Sequence, residues 1–423
     1  MAVLYFENLS GTKEDEYFRD GITEDVITEL SKISQLRVFP RSEMLAFRDK
    51  SVTAPQVGQQ LNAAFVLEGS IRRAGNRLRI TAQLVESRTR HSVWAERYDR
   101  QLEDVFAIQD EIARSIAQAL RIRLSPQEEK KIGRKPTENL QAYDYYLRGR
   151  SYTRRCNLDF ALQMFEQAIK LDPNFALAHA GIAQVCGMNY EWRERKPEWV
   201  ERGNAACDRA SAIDPNLAEV LAARGRVLYA EDKFDKALEF AAKAIALKPD
   251  CEGAYDVLLR CCFASGRFAE AVQHMNAALE VSGDDYNVYV PIINSLRALG
   301  QLKSAEALQV RHTLALEKQL EQVPEDVRAR VLLAANYADL GREADAIRQV
   351  EIAIALRPSD GQVLYNAACT YGILKKKKEA LETLEKTLQA GYRNKEWLTR
   401  DPDLACIHDD PEFKRLLERY DAE

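Results

Sequence analysis

Five histidines, His91, His179, His274, His312 and His408, are scattered through a chain of 423 residues. His179, His274 and His312 fall at helical positions where packing is the expected role. The eight cysteines are Cys156, Cys186, Cys207, Cys251, Cys261, Cys262, Cys369 and Cys406. They form no CxxC pair and no Cys/His group with zinc spacing. Cys261 and Cys262 are adjacent, which suits neither a disulfide nor a metal. Most lie in Ala-rich helical contexts, where a thiol acts as a small apolar group, and they are expected to be reduced. The sequence holds no GxxxxGK[ST], no GxGxxG after a strand, no HExxH and no GxSxG. No catalytic residue, cofactor or metal is therefore expected, and the chain reads as non-enzymatic. The acidic run Glu14, Asp15, Glu16, Asp20, Glu24 and Asp25 is expected to be a solvated loop and helix start rather than a metal site.

Arginine is the charged residue with a pattern. Arg72, Arg73, Arg77, Arg79, Arg88, Arg90, Arg97 and Arg100 crowd one segment. There Arg77, Arg79, Thr81 and Gln83 alternate with Leu78, Ile80, Ala82 and Leu84, so the arginines face outward from a strand. A docking surface for an anion is one reading. A solvated face that discourages edge pairing is the favoured one, because no aromatics interleave for base stacking and the segment up to Pro126 is formally neutral. Nucleic acid is thus an unlikely partner.

The elements that position a second set of arginines come from a repeat. Pro215 and Pro249 are 34 residues apart, as are Pro324 and Pro358. Within one period Gly149, Tyr152, Ala161, Phe165, Ala168 and Pro173 supply small, aromatic and turn residues, and Gly225, Phe234, Ala237, Ala244 and Pro249 repeat the pattern. Small residues let paired helices approach, and proline ends the second helix. This stretch resembles the tetratricopeptide (TPR) family, with seven repeats over 140–392. An all-α solenoid winding as a right-handed superhelix is expected. Residues 127–139 form the linker before it, and 393–423 a terminal segment whose helix, Pro411–Tyr420, caps the last repeat. Two repeats are long. The excess in one falls at Asn189–Pro197, between its helices, and the other has an extended second helix from about Leu302 to Gln322.

In such a solenoid the first helix of each pair lines a concave groove. Tyr143, Tyr146, Arg150, Gln184, Arg226, Tyr229, Asp256, Arg260, Asn294 and Arg297 fall at positions expected to be exposed there. Arginines with tyrosines suit an extended peptide bearing carboxylates. They do not reproduce the Lys/Asn clamp of chaperone-binding members.

Residues 1–126 lack the period. Ala2–Phe6 and Leu36–Phe39 read as strands, residues 21–32 as a helix, and Val57–Leu61 as another helix ending near Asn62. Ala64–Ile71, Leu78–Val85 and Val93–Tyr98 read as strands with a hairpin turn at Gly75-Asn76, and Glu103–Ile122 as an amphipathic helix. This is an α/β domain with a small mixed sheet. It is expected to fold separately from residues 137–423.

The segments AVLYFENLSG, YFRDGITEDVITELSKISQLRV, FVLEGSIRRAGNRLRITAQLVE and WAERYDRQLEDVFAIQDEIARSIA resemble, in order, the TolB/FlgO-like family, with Tyr5 where proline is common. The resemblance implies a bacterial regulatory module. Such domains, followed by TPRs, form the C-terminal parts of proteins whose front ends resemble adenylate cyclases, winged-helix regulators or Ser/Thr kinases, often with a membrane span between. A central strand starting at the second residue adds the expectation of an upstream segment.

Composition agrees with a protein-binding scaffold. Net charge is −5, with 46% hydrophobic and 30% charged residues, which excludes a generally basic nucleic-acid binder or a disordered acidic chain. The longest uncharged run, Pro173–Tyr190, carries Asn174, His179, Gln184 and Asn189, so no membrane span or signal peptide is expected. The expected location is cytoplasmic, or the periplasmic side of a membrane-tethered parent. The rival functions are the regulatory end of a signalling enzyme or transcription regulator, and a nucleotide or nucleic-acid binder using the arginine strands.

Overall fold

The computed structural model describes residues 1–11, 15–48, 50, 52–132, 135–193, 195–282, 285–392, 398–399 and 401–420. Three long strands dominate the first 104 residues: β3 (Phe65–Ala74), β4 (Arg77–Glu86) and β5 (Ser92–Gln101). They form an antiparallel meander in which Ile71 faces Ile80 and Ile80 faces Tyr98. The turn between the first two carries Gly75 at φ 57°, a left-handed conformation that glycine adopts without penalty. Two short strands, β1 (Ala2–Val3) and β2 (Glu7–Asn8), both run parallel to β3, which makes the sheet mixed. The apolar run at the N-terminus is therefore interrupted at Leu4–Phe6, although all three of those residues are buried.

The expected strand Leu36–Phe39 does not form. Leu36 N–H turns back to the Ile33 carbonyl at 2.9 Å, and the rest makes isolated bonds to the first residue: the Met1 amino group donates to the Arg37 carbonyl at 2.6 Å, and Phe39 N–H donates to the Met1 carbonyl at 2.9 Å. A two-residue β1 offers no ladder for it to join.

Helices cover one face of the sheet. They are α1 (Glu16–Ser31), α2 (Arg41–Leu45), α3 (Ala54–Leu61) and α4 (Val105–Ala119). Asn62 ends α3 at φ 52°, a left-handed cap position that asparagine tolerates well. On α4, Val105, Ile108, Ile112 and Ile116 recur at helical spacing and are buried. Helix α1 is different. Its apolar stripe Ile22, Val26, Ile27 and Leu30 is buried, but so are Arg19, Asp20, Thr23 and Glu24. A helix buried nearly all round needs cover on more than one side, and the second cover is the repeat region. The linker carries a helix: α5 (Pro126–Lys131) starts in a capping box between Ser125 and Glu128. The Glu128 carboxylate also accepts from Ser34 N–H and hydroxyl, both at 2.8 Å.

Seven helix pairs follow. They are α6 (Leu140–Arg154) with α7 (Leu158–Leu171), α8 (Ala176–Trp192) with α9 (Pro197–Ile213), and α10 (Ala218–Ala230) with α11 (Phe234–Leu247). Next come α12 (Ala254–Ala264) with α13 (Phe268–Gln273) and α14 (Met275–Ser282), and α15 (Tyr289–Ala298) with α16 (Leu302–Gln322). The last are α17 (Val327–Asp339) with α18 (Glu343–Leu356), and α19 (Gly361–Ile373) with α20 (Lys377–Gln389). Glycine makes the close approaches possible: a Cβ on Gly149 or Gly181 would sit 2.6 Å from the Phe165 ring. The lengthened α16 matches its expected range. The excess near Asn189–Pro197, expected as an insertion between helices, instead lengthens α8 and α9 to 17 residues each. The final helix, α21 (Pro411–Arg419), buries Phe413 and Leu416 among Leu384, Leu388 and Leu404.

The coil is tight enough for repeats far apart in sequence to meet. Cys156 Sγ lies 3.1 Å from the Tyr286 hydroxyl, and the Arg328 guanidinium lies 4.2 Å from the centre of the Trp192 ring. One continuous apolar core runs from Met1 through the sheet into the first repeats, to Val227. No helix among the described residues is long and apolar enough to cross a membrane.

Candidate functional site

Consecutive first helices α6, α8, α10 and α12 pack on one another, and their shared face is the inner surface of the coil. The ten groove positions lie on these helices and on α15, but half of them are buried. Tyr143, Tyr146, Arg226, Asp256 and Arg260 are buried. Arg150, Gln184, Tyr229 and Asn294 are partly buried, and Arg297 alone is exposed. The reason is pairing within the chain, which phase along a repeat does not reveal.

Arg226 donates to Glu191 at 3.0 Å and to Asp256. Arg260 donates to Asp256 at 2.8 Å and also to Glu191. Burial alone would raise the Asp256 carboxyl, but Arg260 and Arg226 hold it below the ordinary carboxylate range. Arg297, the outermost, pairs with Asp339 at 2.9 Å. Glu191 and Trp192 stand at the lengthened end of α8, and the sequence reading missed both because it placed that segment in a loop. Gly187 completes the arrangement, since a Cβ there would lie 2.5 Å from Arg226 Cγ.

At the other end of the groove the partner is the first domain. Glu24 of α1 accepts from Arg150 at 2.9 Å, Arg154 at 2.7 Å and Arg41 at 2.7 Å. Arg150 and Arg154 also donate to Glu252, at 3.0 and 2.8 Å. Burial opposes charge on Glu24, yet the three guanidinium groups keep its carboxyl far below its ordinary value. Beside it Tyr143 donates to Asp25, Leu147 fills the space left by Gly21, and Phe106 of α4 meets the Tyr143 ring edge-on at 4.7 Å. Asp144 accepts from Tyr17 at 2.7 Å and Arg73 at 3.0 Å. Further along, α2 packs on α14 of the fourth repeat. The acidic run is therefore not the solvated feature expected of it: Asp20 and Glu24 are buried, and Glu14 lies outside the described residues.

Two chambers remain in this seam. The larger, about 670 Å³, lies between α1, α4 and the inner face of the first three repeats, with Asp25, Glu29, Asp110, Tyr146, Phe165 and Lys248 on its walls. The smaller, about 290 Å³, lies beyond the Arg154–Glu252 pair and is lined by Trp192, Tyr255 and Tyr286.

Elsewhere, Cys369, Asp401 and Asp403 bring possible metal-ligating atoms within 4.8 Å of one another. Asp401 already accepts from the Tyr365 hydroxyl and, at 3.3 Å, from Cys369 Sγ. Burial, then the Asp401 charge, pushes the Asp403 carboxyl up to about 7. The thiols of the buried Cys186, Cys207 and Cys261 are raised by burial, which makes them poor nucleophiles. On the arginine strands the alternation is as expected, and Asp99 takes both Arg79, at 2.6 Å, and Arg97, at 3.1 Å.

Comparison with known proteins divides the chain in the same way. Residues 1–115 match the model of the HilA/YgeH-like transcriptional regulator, second domain, where the sequence resemblance pointed to a TolB/FlgO-like domain. Residues 142–175 match one tetratricopeptide repeat model, and residues 218–251 and 361–390 match another. A curated protein of Rhizobium meliloti (strain 1021) named "Putative adenylate cyclase 3" is 40% identical over 203 residues, covering 47% of this chain. The chain spans only 35% of that relative's length. A tetratricopeptide repeat protein from Parabacteroides merdae ATCC 43184 superposes with a TM-score of 0.36 at 13% identity, over 67% of this chain and 99% of that one. The Cut9-Hcn1 hetero-tetramer of APC/C gives 0.46 at 14% identity, over 75% of this chain and 63% of that one. Repeat models and helix pairing together make the chain a small mixed-sheet domain followed by a solenoid of the tetratricopeptide type.

Proposed function

We propose that this chain is a non-enzymatic regulatory module that binds protein partners, working as part of a signalling enzyme or transcription regulator. The observation that carries the reading is the seating of the first domain inside the repeats. A free scaffold offers its whole inner face to partners, whereas here α1 packs on α6 of the first repeat and α2 on α14 of the fourth, which encloses the inner face between them. The regulator-type match of residues 1–115 and the cyclase-named relative support a regulatory setting. The TolB/FlgO-like resemblance supports the same setting.

Partner contact then falls on the part of the repeat surface that the first domain leaves open, at Asn294 and Arg297, rather than along the buried Arg226 and Arg260. Photo-crosslinking residues placed at 297 and, as a control, at the exposed Arg88 test the location. Partner adducts form from 297 and not from 88 if the assignment holds, and adducts from 88 alone refute it. Incubation of the purified chain with ATP and a divalent metal should yield neither cyclic AMP nor ADP. Turnover that follows the protein through purification would overturn the non-enzymatic reading.

A further inference from the structure

The larger chamber has the size of a small-molecule site, and such sites favour domain interfaces. Its walls differ in kind. The repeat side supplies Tyr146, Phe165, Ala180 and Leu217, with the Tyr146 and Phe165 rings 6.0 Å apart. The first-domain side supplies four carboxylates, Glu24, Asp25 and Glu29 on α1 and Asp110 on α4, of which Glu24 is already held by Arg41 and Arg150.

Charge balance on these walls decides what fits. The chamber's cations are mostly committed already. Arg41 and Arg150 serve Glu24, Lys248 donates to Glu219 at 2.8 Å, Lys32 to Glu29 at 2.5 Å, and Lys135 to Glu138 at 3.0 Å. Among the described residues the hydrogen bonds to Asp25 come from neutral donors, the Tyr143 hydroxyl and Gln109 Nε2 at 3.2 Å, with Arg150 and Lys248 acting on it without a direct bond. Asp110 is half-buried, and burial outweighs the influence of Arg114, Lys32 and Lys135 on its carboxyl. Glu29 keeps one carboxylate oxygen buried without a hydrogen-bond partner among the described residues. A carboxylate enclosed in this way is stabilised by a positive charge brought to it, and the Phe165 ring and the Tyr146 ring, over which Arg150 already stands at 5.8 Å, add apolar surface beside it. In agreement, burial raises the carboxyls of Asp25, Glu29 and Asp110 above their ordinary values.

We propose that the chamber between the first domain and the first three repeats binds a small organic cation. Its ammonium or guanidinium head pairs with Asp25, and its short apolar tail lies on Tyr146 and Phe165. The ligand would bridge the two parts of the chain, so its binding would tighten their seam.

Calorimetric titration of the full chain with butylammonium, butylguanidinium and, as a charge control, pentanoate tests this. Binding of at least one cation and none of pentanoate is expected. Asp25→Asn keeps the hydrogen bond from Tyr143 and removes the charge, so it should weaken the cation about tenfold or more, the scale of a charged hydrogen bond. Leu247→Lys, at a chamber residue that is 58% exposed, adds a positive charge at the mouth without disturbing the core. It should weaken binding severalfold, and it decides the question if Asp25→Asn misfolds by circular dichroism. No cation binding, pentanoate binding as tight as the cations, or unchanged cation affinity in a folded Asp25→Asn or in Leu247→Lys would each overturn the proposal.

Discussion

Arg226 donates from one nitrogen to Glu191 and from another to Asp256, and the residue is only 3% exposed. Removing one member of a buried charge network leaves the others without compensation, at a cost of about 3–5 kcal/mol. Arg226→Ala is therefore expected to lose stability on that scale in urea unfolding. An exposed groove arginine, as the repeat phase alone implies, would lose less than about 1 kcal/mol. The recurrence of Arg150, Arg226 and Arg260 was legible in the sequence. Their carboxylates were not, because Glu191 and Asp256 lie 35 residues before and 30 residues after Arg226. Such pairings depend on how far one helix extends past its neighbour.

Asp403 gives a prediction with pH. Its folded value near 7 lies above the ordinary carboxylate value of 3.8. The folded chain then holds a proton that the unfolded chain releases, so this group's stabilising contribution is complete below 3.8 and is lost as pH rises towards 7. Asp403→Asn should raise the melting temperature more at pH 8 than at pH 5. An equal gain at both values would mean that the carboxyl titrates normally.

At the scale of elements, periodicity was a good guide wherever one face alone is buried. The β3–β4 hairpin, α4, the helix pairs and the lengthened α16 all follow the apolar spacing. Errors fell where context rules. Leu36–Phe39 has strand composition but meets Met1 through isolated bonds and joins no ladder among the described residues, and α1 begins five residues before its expected start. The terminal helix shows how backbone fit holds an element in place. A Cβ at Gly372 on α19 would sit 2.1 Å from the Asp403 carbonyl oxygen. That contact is with backbone and cannot be relieved by a rotamer change. Gly372→Ala should unseat the segment from Asp401 to α21, at a cost of about 1–3 kcal/mol. Limited proteolysis should then cut before Pro411 while the first five repeats stay resistant. A protease pattern identical to the parent's would show that the cap has room to shift.

For the whole molecule, two patterns were legible, a domain without the period and a region with it, and they suggested two separately folding parts. How the parts meet was not legible, because Gly21 against Leu147, Asp25 against Tyr143 and Glu24 against Arg154 join residues more than 100 positions apart. Their shared core implies mutual support. A chain starting at residue 137 should show faster amide hydrogen exchange in α6, whose Tyr143, Tyr146 and Leu147 lose their cover, than the full chain does. Equal exchange would mean that the repeats stand alone.

The seating of the first domain inside the solenoid is the central claim, and the Glu24–Arg154 contact tests it most directly. Glu24→Gln, Arg154→Gln and the double variant, unfolded in urea, form a double-mutant cycle across the seam. Residues in one ion network couple by about 0.5–3 kcal/mol, and separated residues add within about 0.3–0.5 kcal/mol. A coupling of about 1 kcal/mol or more is the predicted result, and additivity of the two single variants would contradict it.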